Sequence, residues 1–125
     1  MLREGERFGI VSTGEVWRGV LGEAVRGLLG GEVARRVFKG VECVGVGAGE
    51  LHGEGDREVE GRVRGAVGRL VGGEGAVGVG VVVLGCAGMV GMEEWVRGEC
   101  GEGLRVVDGV KAGVGILQGL VRGGF

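Results

Sequence analysis

Residues Val79–Met92 read VGVVVLGCAGMVGM, and this stretch decides the fold. β-Branched residues run up to Leu84, the run breaks at Gly85, and a thiol, Cys86, follows at once. Small residues then lead into Glu93–Glu94–Trp95–Val96–Arg97, which patterns as helix. A short apolar run without alternation reads as a strand buried on both faces. Open α/β sheets place their chemistry in the turn at the carboxyl end of such a strand. The uncharged run Gly75–Met92 is long enough to raise a membrane span. Its six glycines, its flanking Glu74 and Glu93 and the absence of an orienting Lys/Arg cluster favour strand plus turn instead.

Outward from that strand, helix and strand patterns alternate. Phe8–Val11 is a first strand that stops at Ser12–Thr13–Gly14, where either hydroxyl can cap the next helix. Val16, Trp17, Val20, Leu21, Ala24, Val25 and Leu28 then recur at helical spacing as one apolar face, ended by Gly30–Gly31. A weaker second strand lies around Val37–Val44, and Glu50–Leu51–His52 opens a turn. A long amphipathic helix follows from about Asp56 to Val71, with Val59, Val63, Ala66, Val67 and Leu70 as its buried stripe. Glu58, Arg62, Arg64 and Arg69 read as its solvated positions, and Gly72–Gly73 stops it. The organising strand is expected from about Val77 to Leu84, a short helix from Met92 to about Cys100, a fourth strand at Leu104–Val107 and a last helix from Val110 to Arg122. The order β-α-β-α-β-α-β-α predicts an α/β fold in three layers, a four-stranded parallel sheet with helices on both faces. The whole chain, 1–125, reads as one domain with no linker.

A formal charge of −2, from 15 basic and 17 acidic residues, leaves no basic footprint for nucleic acid. MLREGERF is too polar to open a secretory signal. Three cysteines, at 43, 86 and 100, form no close pair and suit a reducing cytosol, so the chain is placed in the cytoplasm. One histidine and no CxxC or HxxxH give a zinc site no support. Glycine is the unusual feature, at 34 residues with no Pro, Tyr or Asn, and nine of these glycines fall inside helix patterns. At about 1 kcal/mol each relative to alanine they cost on the order of 9 kcal/mol. An ordinary domain has a stability of only about 5–15 kcal/mol, so marginal stability is expected.

Gly73-x-Gly75-x-x-Gly78 has the spacing of a dinucleotide turn but precedes its strand, and this glycine content yields about two such matches by chance. No P-loop pattern is present. Cys43 and Cys100 read as structural residues near element ends. His52 reads as a cap beside a loop, with substrate orientation as the alternative. Asp108 reads as the cap of the last helix, with ligand contact as its alternative. Lys111 reads as a first-turn surface residue or a holder of an anionic group. At Cys86 position and chemistry agree: between a strand end and a helix start, backbone N–H groups and a helix dipole favour a thiolate. Gly85 and Gly88 would let backbone approach a ligand. The alternative for Cys86 is a buried, inert cysteine.

FGIVSTGEVW, GELH with REVEGRV, VVLGCAGMVGMEEWVR and VVDGVKAGVGILQGLVRGGF resemble the C-terminal half of the aspartate/glutamate/hydantoin racemase family, most of all its fungal hydantoin-racemase-like branch. The resemblance implies a small-molecule substrate, a fold of two similar α/β lobes and catalysis without metal or cofactor. In such enzymes one thiolate removes the α-proton and a thiol from the other lobe protonates the opposite face. Thiols suit this because their ordinary pKa, about 8.5, is readily lowered. By position, Cys86 matches the second lobe's catalytic cysteine. Ser12 and Thr13 match a substrate-contacting loop, and Ala87 and Gly88 match the turn whose backbone holds the substrate. The chain then corresponds to the second lobe plus a crossing C-terminal helix, without the first lobe and its cysteine. The expected function is a racemase or epimerase of hydantoin- or allantoin-like amino-acid derivatives, weak or inactive as this chain alone. A non-catalytic ligand-binding remnant or a truncated gene model of the same family is the alternative. The apolar face of the last helix, Val114, Leu117 and Val121, is then left exposed or mediates self-association.

Overall fold

The computed structural model describes residues 2–52, 55–72, 78–100 and 103–124, apart from the side chains of Asp56, Glu99 and Cys100. The glycine motif at Gly73 and Gly75, the strand start at Val77 and the Cys100 side chain lie outside the described residues.

Four strands, β1 (Arg7–Ser12), β2 (Phe38–Cys43), β3 (Val79–Leu84) and β4 (Arg105–Asp108), form one parallel sheet in the order β2-β1-β3-β4. Among the described residues the α-helices are α1 (Val16–Leu29), α2 (Gly31–Val37), α3 (Asp56–Val71), α4 (Glu93–Cys100) and α5 (Gly109–Arg122). This is the expected α/β architecture. Alternate residues along the strands feed two cores, as a period of two requires. Val11, Val82 and Leu84 pack with Val59, Val63, Ala66, Val67 and Leu70 of α3 and Val96 of α4. Ile10, Val41 and Cys43 form the smaller core on the other face, with Leu21 and Val25 of α1. Gly9 lies so close under α3 that a β-carbon there would stand 2.6 Å from Leu70 Cδ1.

Three local expectations are corrected. Gly30 does end α1, with φ +80°, but the chain re-enters helix at once as α2, a helix the glycine pair concealed. Neither Ser12 nor Thr13 caps α1; its N-cap is Glu15, which makes no capping side-chain bond, because both hydroxyl residues are buried at the end of β1. The apolar residues of α1 are only half used: Leu21 and Val25 pack inward, whereas Val16 and Leu28 are 71% and 86% exposed. The α3 stripe is buried throughout, and on its outer surface Arg62 and Arg64 pair with Glu58 and Glu60 one turn away. Among the described residues no helix is long and apolar enough to cross a membrane.

Candidate active site

From β1 the chain crosses to β2 on one side, and from β3 it crosses to β4 on the other. The carboxyl ends of β1 and β3 are therefore the topological switch point, where loops diverge and leave a crevice. A cleft of about 490 Å³ lies there, lined by Thr13 and Gly14 after β1 and by Gly85, Cys86 and Ala87 after β3. Val16, Trp17 and Leu21 of α1 form one wall, and Gly47 and Ala48 close the rim. No charged side chain lines it among the described residues.

Cys86 is partly exposed, a free thiol in extended backbone (φ −138°, ψ 134°). It precedes a single 3-10 turn, Ala87–Met89, and α4 begins only at Glu93. The helix dipole expected behind the thiol is thus displaced, since macrodipole effects fall off within one turn. What remains are amides: those of Ala87 and Gly88 open the 3-10 turn without a hydrogen-bond partner among the described residues. The next two, of Met89 and Val90, donate to Cys86 O and Ala87 O at 3.0 and 3.3 Å.

The turn is held from several sides. His52 Nε2 lies 2.7 Å from Gly88 O; a carbonyl only accepts, so Nε2 carries the proton. The expected helix-capping role of His52 is corrected to a brace between two loops. A β-carbon at Gly88 would meet Leu51 Cδ1 at 3.1 Å, and one at Gly85 would meet Ile10 Cγ2 at 2.6 Å. At both glycines the close approach is to the chain's own atoms. Ser12, fully buried, directs Oγ toward Gly85 O at 3.5 Å, while Thr13 reaches the cleft wall. Gly85 N donates to Val11 O at 2.8 Å, tying the end of β3 to β1.

Cys43 ends β2 opposite Ser12, one strand beyond β1 from Cys86, and is 2% exposed. Burial pushes its thiol pKa up, and Glu15 adds to the shift, so Cys43 is held protonated, as its structural reading requires. Asp108 caps α5 as expected: Oδ1 accepts from Val110 N and Lys111 N at 2.8 and 3.1 Å. Lys111 is committed to an ion pair with Glu93, which lowers the glutamate pKa and raises its own, and Asp108 Oδ2 lies 3.8 Å away. It is therefore engaged within the chain and does not line the cleft. Among the described residues no group of His, Cys, Asp and Glu is arranged to hold a metal ion.

The sequence reading missed Trp17 and Val16 as cleft walls, along with Gly47 and Ala48. The signal was present in α1, whose apolar residues come in adjacent pairs (Val16–Trp17, Val20–Leu21, Ala24–Val25), a stripe too wide for one sheet contact.

Comparison with known proteins is consistent with this geometry. The sequence profile of the Asp/Glu/hydantoin racemase family matches residues 1–117. An uncharacterized protein of Schizosaccharomyces pombe is 30% identical over 118 residues, which span 94% of this chain and 47% of that protein. The crystal structure of an allantoin racemase from Pseudomonas fluorescens superposes with a TM-score of 0.73 at 29% identity, covering 97% of this chain and 47% of the other. The chain thus spans about half the length of each of these relatives.

Proposed function

Because the chain belongs to the Asp/Glu/hydantoin racemase family, we propose that it carries one acid/base half of a cofactor-independent racemase or epimerase, with Cys86 as its proton-carrying thiol. The substrate class is a neutral amino-acid derivative such as a hydantoin or an allantoin-like ureide. The observation that carries the reading is the position of Cys86 on the wall of the switch-point cleft, next to Ala87. A lining without charged side chains among the described residues suits a neutral ring better than an amino-acid zwitterion, whose ammonium and carboxylate would be desolvated there without partners.

In this mechanism the Cys86 thiolate takes the α-proton: the C–H bond breaks, an S–H bond forms, and the electron pair passes into the adjoining carbonyl. The Ala87 and Gly88 amides stabilise the charge that develops on oxygen. Trp17 packs on the ring, while Ser12 and Thr13, both buried, support the wall beneath it. Inversion needs a second acid on the opposite face, whose S–H bond breaks as the new C–H bond forms. Cys43 is not that acid, being buried in this same lobe. Cys86 alone returns a proton only to the face from which it came.

The test is proton exchange in D₂O. The chain should incorporate deuterium at the α-carbon of an enantiopure 5-substituted hydantoin faster than buffer does. Cys86→Ser should abolish the excess rate and Cys43→Ser should preserve it. Equal exchange by wild type and Cys86→Ser overturns the proposal. Ligand binding without exchange would instead identify a non-catalytic binding module.

A further inference from the structure

We infer that the chain has a second ligand site, a cationic pocket at the amino end of the sheet that takes a small phosphate-bearing anion. A pocket of about 370 Å³ lies between the last turn of α1, helix α2 and the first residues of β1 and β2. Arg7, Arg26, Arg35 and Lys39 line it, and no acidic side chain does so among the described residues. Ala34 and Phe38, both buried, supply its apolar lining. The chain has 17 acidic residues to 15 basic ones, so composition does not account for such a lining. Among the described residues the ion pairs engage Arg18, Arg62, Arg64, Arg69, Arg105 and Lys111, none of which lines this pocket. Arg7 is fixed in place by Nη2, which donates to Phe38 O and Arg35 O at 2.9 and 3.3 Å. Its buried Nε has no hydrogen-bond partner among the described residues. A buried donor left unmet in this way marks where an ion or a water belongs. The Arg35 guanidinium lies back over Gly31, itself a lining residue, with Nη1 3.6 Å from where a β-carbon would stand.

Charge and size choose the ligand. Helix C-termini attract single cations, which accounts for Arg26 or Arg35 taken alone. It does not account for four cations around one hollow, whose mutual repulsion an anion relieves. Guanidinium groups match the oxygens of a phosphoryl group, which their forked donors bind in pairs. The volume falls within the roughly 300–1,000 Å³ of small-ligand sites. A localised hollow in a chain of charge −2 is not the extended basic stripe that follows a nucleic-acid backbone. The larger hollow of about 650 Å³ beside β4 differs in kind: Glu94 lines it with Arg3, Arg97 and Arg105, and Arg105 is paired with Glu6. Arg7 opens the six residues of β1, whereas Cys86 lies past the far end of the sheet, about 17 Å away along the strand. The pocket is thus separate from the cleft.

Isothermal titration calorimetry of the chain with inorganic pyrophosphate in about 0.1 M NaCl tests this. One ion should bind per chain with a Kd below about 1 mM. Arg26→Gln and Arg35→Gln should each weaken binding at least about tenfold, the loss of one charge-assisted hydrogen bond. Both side chains are exposed, so the far-ultraviolet spectrum should not change. Arg36→Gln, exposed on α2 but outside the pocket, should leave the affinity unchanged. Heat that does not saturate by about 10 mM, an affinity unaltered in either pocket variant, or an equal loss in Arg36→Gln would each overturn the inference. Binding of a polyglutamate peptide but not of pyrophosphate would also overturn it, giving the pocket to an acidic protein segment. Binding is the readout, so the result is independent of proton transfer at Cys86.

Discussion

Helix glycines should limit the stability of this protein, and α3 offers the cleanest place to show it. Gly61 and Gly65 lie inside Asp56–Val71, whose opposite face is buried against the sheet. A β-carbon at Gly61 meets nothing within 4 Å, and one at Gly65 meets only the end of the Arg69 side chain at 3.5 Å, an ordinary contact. Neither alanine is strained, so each should recover nearly the full helix-propensity difference, about 0.8–1.0 kcal/mol. The double variant Gly61→Ala/Gly65→Ala is then about 2 kcal/mol more stable. At roughly 2.1 cal/mol/K per residue the unfolding entropy of a chain this size makes that about 7–8 °C in Tm. Gly9→Ala is the control of opposite sign. Its β-carbon would fall 2.6–2.7 Å from three atoms of Leu70, a 2%-exposed side chain with nowhere to retreat. Overpacking there should cost about 1–3 kcal/mol. Differential scanning calorimetry of the three proteins reads both effects, with wild type expected to melt below about 65 °C. A double variant that melts no higher than wild type would refute the propensity argument, and a stabilised Gly9→Ala would refute the packing geometry.

Two further outcomes follow from the site and its surroundings. Burial raises the Cys43 pKa above the ordinary thiol value, so the unfolded chain releases this proton first. Stability is therefore intact below about pH 8.5 and falls as the pH rises through the higher folded value, with a slope of at most about 1.4 kcal/mol per pH unit. Urea midpoints across alkaline pH should show that decline in wild type and lose this component in Cys43→Ala; an identical decline in both would contradict it. His52→Ala removes the 2.7 Å bond to Gly88 O. A net hydrogen bond of about 1 kcal/mol predicts roughly fivefold faster hydrogen exchange at Met89 and Val90, the bonded amides of the turn, and an unchanged rate would show that the brace does not hold the turn.

The parts legible in sequence were those where one side chain has one job. The α3 stripe and the Val79–Leu84 run each follow a single period because each meets a single packing surface. α2 stayed hidden because two adjacent glycines look like a stop and its seven residues are too few to show a period. α1 misled because its paired apolar residues serve the core, the cleft and an uncovered face at once. Cys86 could be found from its place after a buried strand. The distance from the thiol to α4 could not, because nothing in CAGMVGM tells a 3-10 turn from the first turn of an α-helix. The His52 brace spans 36 residues and leaves no local signal.

The central claim is that the sulfur of Cys86 carries the α-proton, and deuterium exchange with stereochemical analysis tests it most directly. A positioned general base contributes about 10²–10⁴-fold, so the excess exchange rate should fall at least about a hundredfold in Cys86→Ser. Wherever this lobe supplies the only thiol, deuterium should enter with the configuration retained. Exchange that persists undiminished in Cys86→Ser would contradict the account.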